Sequence, residues 1–233
     1  MIFRQLFEPK SSAYTYLIGC EETGAAALID PVLETVERDL DLLSDLGLTL
    51  EYTIETHIHA DHVTGADRLR AATGATVAVP EQSGAANADL LVREGEPIQI
   101  GLLSLHPLHT PGHTADHHCY LLEAPSAARL FTGDALLIEG CGRTDFQNGD
   151  AATLYRSVHE KLFSLPEETL VYPGHDYQQR QVSSIGQEKA RNPRLGGGKT
   201  LAEFVSIMAA LNLPNPKMMD VAVPANLECG EFD

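Results

Sequence analysis

The sequence predicts an α/β fold in which two mixed β-sheets are sandwiched between helices. Short apolar runs of strand type come mostly first within each half of the chain, and helical patterns are interleaved with them. The chain has 233 residues, of which 43% are hydrophobic, so it can bury a sizeable core. We expect one domain over residues 1–233, with a short C-terminal helix and tail from about residue 195.

In the first half, strands joined by short turns precede the first helix. Asp30 fits the N-cap of that helix, Pro31 fits its first position, and Gly47 supplies its end. A second helix fits "VTGADRLRAATG". The strand-type runs of this half are "YTYLIG", "AAALID", "LEYTIET" and "TVAVP".

In the second half, two helices carry clear start signals. Asp150 caps the first of them, and Thr200 and Glu203 form a capping-box pair before the second. The Pro-rich tail that follows Leu211 is expected to be irregular but packed. The strand-type runs of this half are "PIQI", "LLSLHPL", "CYLLE", "RLF" and "TLVY".

The charge balance excludes some classes of partner. With a formal net charge of −17, the chain lacks the basic face that a nucleic-acid binder needs. No apolar run approaches the roughly 18 residues of a membrane helix. The N-terminus has no basic region followed by an apolar stretch and a small-residue cleavage site, so we expect a cytoplasmic protein.

The four cysteines are far apart and form no CxxC pair. This spacing excludes zinc fingers and thioredoxin-type redox motifs, and it indicates buried thiols in a reduced intracellular protein. Cys141 is interpreted as one of these packed thiols, with a reactive role as the alternative.

One stretch, "THIHADH", concentrates metal-capable side chains. His57, His59, Asp61 and His62 fall within six positions, which no ordinary core or surface requires. In an extended segment the first three would point to one side, because side chains alternate with a period of two, and His62 would lie on the other. Neutral imidazole and carboxylate together suit zinc, iron or manganese.

Three further metal-capable residues each follow an apolar run directly. These are His113, Asp134 and His175. If the preceding strands share one edge of the sheets, their ends converge on a single cleft. Among these residues, Asp134 is better interpreted as a metal ligand than as the cap of a turn. His175 is either a metal ligand or a hydrogen-bond donor to one. The other histidines are interpreted as structural or surface residues, with the two that flank His113 as weak candidates for contact with a ligand: His106, His109, His117, His118 and His159.

The motifs "THIHADH", "HTPGHT", "TGD" and "PGHDY", in that order, resemble the metallo-β-lactamase superfamily. The resemblance implies its αββα sandwich with a metal site at one edge. It does not specify a reaction, because one superfamily hosts many chemistries.

A finer resemblance covers nearly the whole chain. Segments such as "RQLFEP", "GCGRTDFQNGD", "NPRL" and "AVPANLECG" are similar to the persulfide dioxygenases, also called sulfur dioxygenases. That family implies oxidation of glutathione persulfide by O2 to sulfite and glutathione at Fe(II), one per chain. Mapped by motif, the ligands would be His57, His113 and Asp134. Two histidines and one carboxylate leave open positions for a persulfide and O2 side by side, and redox-inert zinc could not activate O2.

The resemblance also assigns roles around the metal. Arg143 would suit a glutathione carboxylate, with a surface salt bridge as the alternative, and Tyr177 would either bind substrate or pack. The residues expected to surround the ligands without binding metal are His59, Asp61, His62, His175, Asp176 and Cys141.

Two other functions stay open. A hydroxyacylglutathione hydrolase of the glyoxalase II type would use two metals, and His59, Asp61, His62 and His175 would serve a second one. Such hydrolases continue into a longer helical region, whereas we expect only a short helix and tail after His175. The other alternative is a non-catalytic metal-binding or sulfur-carrier protein. The interpretation leaves room for a homodimer and for a separate rhodanese-type sulfurtransferase as partner.

Overall fold

Two six-stranded β-sheets lie face to face in the computed structural model, which describes residues 1–124 and 127–231. The first sheet follows chain order, with antiparallel pairing among its first three strands and parallel pairing among the rest. Its strands are β1 (Ile2–Glu8), β2 (Ala13–Gly19), β3 (Ala25–Ile29), β4 (Thr49–Ile54), β5 (Thr76–Pro80) and β6 (Leu90–Val92).

In the second sheet, too, strands that are consecutive in the chain lie next to each other. Its strands are β7 (Ile98–Ile100), β8 (Leu103–His109), β9 (His118–Leu122), β10 (Arg129–Gly133), β11 (Leu170–Pro173) and β12 (Ser183–Ser184). The β10–β11 pair is parallel and the other pairs are antiparallel, so both sheets are mixed, as predicted.

Helices cover the outer faces of both sheets. They are α1 (Val36–Asp45), α2 (Ala66–Thr73), α3 (Ala151–Arg156, continued by a π-helical turn Ser157–Leu162), α4 (Ile185–Arg191), α5 (Leu201–Ala209) and α6 (Met219–Leu227), with short 3-10 turns at Leu33–Thr35 and Glu81–Ser83. Leu43 and Leu69 pack on the first sheet, and Leu154 and Phe204 pack on the second. The predicted αββα sandwich is therefore confirmed.

The main core lies between the sheets. Tyr16 and Ile54 from the first sheet meet Leu105, Tyr120 and Phe131 from the second, and all five are inaccessible or nearly so. Full burial of an apolar side chain of this size contributes about 1.5–3 kcal/mol. This core fixes the two sheets relative to each other, so their shared edge is a rigid support for the loops that follow the strands.

The two caps predicted in the second half of the chain are present. The Asp150 carboxylate accepts the Thr153 N–H at 2.7 Å, and Thr200 and Glu203 form a reciprocal capping box. Each such cap satisfies a backbone N–H that the helix itself leaves unpaired.

Two predictions of local structure were wrong. Asp30 does not cap a helix: it has a φ of +50°, and its carboxylate accepts two hydrogen bonds from Thr56. The tail is not irregular, because it contains α6 despite Pro224 inside that helix. Three helices follow His175 instead of one. In both cases contacts with distant segments override the local pattern.

None of the helices in the described ranges is both long and apolar enough to cross a bilayer.

Candidate metal centre

His57 lies in the loop after β4 and is held by a relay of hydrogen bonds. The Thr56 hydroxyl donates to Asp30 Oδ2 at 2.9 Å, so its single proton is used there. The same hydroxyl lies 2.9 Å from His57 Nδ1 and must accept from it. His57 therefore carries its proton on Nδ1, and the lone pair of Nε2 is available to a metal ion.

His113 is oriented in the same way by a different partner. Its Nδ1 donates to the Arg143 carbonyl at 2.7 Å, so Nε2 is the nitrogen that faces the site, 3.6 Å from Asp134 Oδ2. The turn before His113 packs directly on α3: Gly112 has a φ of +132°, and a Cβ there would lie 2.2 Å from the Leu154 nitrogen. Only glycine fits this approach.

Asp134 follows β10 and is fixed at both backbone and side chain. Its N–H donates to His117 Nε2 at 3.1 Å, and its Oδ1 accepts from His175 Nδ1 at 2.7 Å. Burial alone would raise the pKa of this carboxyl, but His175 and then His113 outweigh burial and hold the pKa below its ordinary value. Asp134 is thus a carboxylate with Oδ2 directed toward His113.

The structure brings these three predicted ligands together. One ligand-capable atom from each of His57, His113 and Asp134 lies within 4.8 Å of the other two. Bonds of about 2.0–2.2 Å to a first-row metal require only a small contraction of such a set. Burial, together with the neighbouring His59 and His113, holds the pKa of His57 well below its ordinary value, which favours the neutral, ligating form. The residues therefore fit a metal ion.

A second group of the same residue types lies beside the first. We call Asp61, His62 and His175 the Asp61 network. Asp61 Oδ2 lies 2.9 Å from both His62 Nδ1 and His175 Nε2, so His175 bridges Asp61 and Asp134. Burial lowers the pKa of His175, but Asp134 and Asp61 together raise it well above its ordinary value. In this network the imidazole nitrogens are largely engaged by carboxylates.

His59 faces away from the three ligands, into a buried acidic pair. Its Nε2 lies 3.1 Å from Asp30 Oδ1 and 3.5 Å from Glu55 Oε2, distances of an ion pair, although the angles are not those of a hydrogen bond. Burial lowers the pKa of His59, but Asp30 and Glu55 raise it well above its ordinary value. His59 also lies within 4.8 Å of Asp61 and His62, so a second metal position can be built there.

Two residues of the centre, His117 and Asp30, have larger roles than their sequence positions indicated. His117 is fully buried, and its ring stacks on His57 at 5.1 Å. Because Nε2 accepts from Asp134, its Nδ1 donates to Thr110 Oγ1 at 3.0 Å. Asp30, which orients His57 through Thr56, was missed altogether. The tandem histidines after "TPGHTAD" were a signal for His117, whereas nothing near Asp30 in the sequence indicates its role.

Arg143 and Tyr177 lie near the mouth of the site. The Arg143 fork already binds Asp145, with Nε at 2.6 Å and Nη2 at 2.8 Å, while Nη1 donates to the Pro214 carbonyl. Tyr177 is 79% exposed and its ring stacks loosely on His175. The ion pair with Asp145 corresponds to the salt bridge that was the alternative role of Arg143. A substrate carboxylate could bind the same guanidinium only by displacing Asp145.

Two further predicted neighbours are buried. Asp176 accepts hydrogen bonds from the Gln178 and Arg180 N–H groups and from the Arg180 guanidinium, so it braces the loop after His175. The Cys141 thiol packs 3.8 Å from Met208 Sδ, and burial raises its pKa to about 11. A thiol in this state is a poor nucleophile.

The fold and the arrangement of the site define a class of protein. The model of the metallo-β-lactamase superfamily matches residues 9–175, and the chain belongs to that superfamily. A hydroxyacylglutathione hydrolase from Rhodospirillum rubrum is 38% identical over 79% of this chain and 70% of the relative.

More specific similarity spans nearly the whole chain. The mitochondrial persulfide dioxygenase ETHE1 of Mus musculus is 50% identical over 99% of this chain and 89% of its own length. The crystal structure of ETHE1 from Myxococcus xanthus matches with a TM-score of 0.95 at 55% identity, covering 99% of this chain and all of that one. The chain belongs to the persulfide dioxygenase family, as its sequence motifs predicted.

Proposed function

We propose that this enzyme oxidises glutathione persulfide with O2 to sulfite and glutathione, at a single Fe(II) held by His57, His113 and Asp134. The observation that carries the proposal is the direction of three lone pairs. Thr56 and the Arg143 carbonyl occupy Nδ1 of the two histidines, and His175 occupies Oδ1 of Asp134, so Nε2, Nε2 and Oδ2 remain on one side.

Two imidazoles and one carboxylate on one face are the donor set of non-haem iron oxygenases. Iron bound there would mediate the transfer of electrons from the persulfide sulfur to O2 and would offer open positions where the two meet. The chain's own part is to orient both imidazoles, to keep His57 neutral and to hold Asp134 ionised. Fixing these groups before substrate arrives removes the cost of ordering them during the reaction.

The glutathione part of the substrate is assigned to Arg143 and Tyr177. An anionic substrate approaching a chain of net charge −17 needs local positive charge, and the Arg143 fork offers bidentate geometry. The exposed Tyr177 ring offers a hydroxyl and an apolar face beside His175.

The test begins with metal-free protein loaded with Fe(II) under anaerobic conditions. We expect one iron per chain, O2 consumption only when glutathione persulfide is added, and formation of sulfite. Protein loaded with zinc at the same site is the matched control and should consume no O2. Absence of O2 uptake, with about two metals bound per chain, would refute the proposal.

A dinuclear thioester hydrolase is the second candidate. It is favoured by the cluster of His59, Asp61 and His62, whose ligand-capable atoms lie within 4.8 Å of one another. The discriminating assay offers S-D-lactoylglutathione without oxygen. Release of glutathione would support the hydrolase, and an inert thioester would exclude it.

Three statements about context complete the proposal. The persulfide is supplied by a separate rhodanese-type sulfurtransferase, the chain forms a homodimer, and it acts in the cytoplasm. The mouse relative is mitochondrial, so the subcellular location of this chain is to be measured directly. Analytical ultracentrifugation tests the dimer, and cell fractionation tests the location.

A further inference from the structure

The C-terminal segment 222–230 packs against the loop that carries the histidine motif. Asn226, on α6, is 3% exposed. Its side-chain amide donates to the carbonyls of His59 and His62, both at 2.9 Å. Its side-chain oxygen accepts the Thr64 N–H, also at 2.9 Å. One side chain thus satisfies three backbone groups of the same loop.

Both N–H donors of the Asn226 amide are used in this position, and its oxygen accepts one N–H. An asparagine side chain offers two N–H donors and one carbonyl oxygen, and the loop presents two carbonyls and an N–H. The loop from His57 to His62 contains no strand or helix, so its polar backbone groups have no regular ladder to pair with. Asn226 supplies the partners that secondary structure would otherwise supply.

Small residues allow segment 222–230 to approach the loop closely. Ala222 and Ala225 pack on Val63. Gly230 has a φ of +83°, and a Cβ there would lie 2.4 Å from the Thr64 carbonyl oxygen. The Cys229 carbonyl accepts the Asp67 N–H at 3.1 Å, at the start of α2. These contacts are independent of Asn226 and hold α6 where its amide can reach the loop.

We propose that Asn226 is a positioning residue for the metal centre. By holding the carbonyls of His59 and His62, it fixes the turn between them. This keeps the His57 imidazole directed toward His113 and Asp134, while Asp61 and His62 stay on the other side. The inference rests on the metal site of the proposed function and does not depend on the reaction.

The experiment measures Co²⁺ binding by the metal-free chain, with affinity from chelator competition and ligand geometry from visible absorption. Asn226→Ala removes all three bonds. Asn226→Asp keeps the size of the side chain and the acceptor but loses both donors. We expect each variant to bind Co²⁺ at least about tenfold more weakly, with a changed absorption band, as for loss of other groups that orient ligands.

Asn87→Ala is the matched control. The Asn87 amide binds the Glu228 and Glu231 side chains, at the exposed end of the same segment, and touches no part of the metal loop. We expect this variant to keep the affinity and the spectrum of the unchanged protein.

Unchanged Co²⁺ affinity and absorption in both Asn226 variants, with only a lower melting temperature, would overturn the proposal. If Asn226→Ala does not fold, the isosteric Asn226→Asp decides; if neither folds, Asn226 belongs to folding and the proposal fails. An unchanged chain that binds no Co²⁺ would refute the metal site as well. Loss of O2 uptake with these binding differences intact would refute only the reaction.

Discussion

Two neighbouring groups of histidine and aspartate differ in what their second atoms contact. In the proposed triad of His57, His113 and Asp134, Nδ1 of each imidazole is held by a neutral oxygen, and Nε2 is left for the proposed metal. In the Asp61 network, both nitrogens of His175 bind carboxylates. Residues of the same types therefore differ in which of their atoms remain available to a metal ion.

The strongest test of this contrast removes one member of the triad. In His57→Ala, one of the three proposed ligating atoms is lost. We expect loss of bound metal and a fall in activity of more than about a hundredfold, beyond the range for loss of an outer contact. Metal content and O2 uptake are the measurements.

The control for that variant is His106→Ala, on β8, which belongs to neither group. It should keep its metal and its activity. A His57→Ala variant that still binds one metal with full activity would place the reactive metal elsewhere, and the contrast between the two groups would fail.

The second test removes the bridge between the groups. In His175→Ala, Asp134 Oδ1 and Asp61 Oδ2 both lose a donor, but the three ligating atoms remain. We expect metal affinity or activity to fall by about ten- to a hundredfold, with the number of metals per chain unchanged at one. Metal titration followed by element analysis gives both quantities. A fall from two metals to one would show that the Asp61 network is itself a metal site.

Much of this architecture could be predicted because its signals are local. The αββα sandwich follows from the alternation of strand and helix patterns, and the family from motifs that stay contiguous in the chain. The errors concern residues whose roles depend on distant partners. Asp30 meets Thr56 where the paired strands β3 and β4 end, and α6 is stabilised by packing on Val63, so neither local sequence indicates the outcome. No pattern in one segment specifies such contacts.

The third test extends the contrast to a histidine with both nitrogens occupied. Thr110→Val removes the acceptor of the His117 Nδ1–H and leaves a buried donor unpaired. We expect the free energy of unfolding of the metal-free chain to fall by about 1–3 kcal/mol. Urea unfolding measures it.

Thr169→Val is a matched control for this substitution. Thr169 is equally buried, but its hydroxyl has no hydrogen-bond partner among the described residues. The same change of shape should therefore cost much less there. Equal losses in the two variants would mean that the hydrogen bond to His117 contributes nothing specific.

The smallest expected effect concerns the cation at the mouth of the site, where the same distinction between engaged and free groups applies. Asp145→Asn weakens the ion pair that occupies the Arg143 fork, so a substrate carboxylate would compete with a neutral side chain. Such partly exposed pairs contribute up to about 1 kcal/mol, which corresponds to a decrease in KM for glutathione persulfide of at most about fivefold. The turnover number should not change, because His113 contacts the Arg143 backbone carbonyl and not its side chain.

The control is Glu81→Gln, which disrupts the exposed ion pair with Arg93 and should leave KM unchanged. An unchanged KM in Asp145→Asn, combined with an unchanged KM in Arg143→Ala, would mean that this arginine only fastens the Pro214 segment.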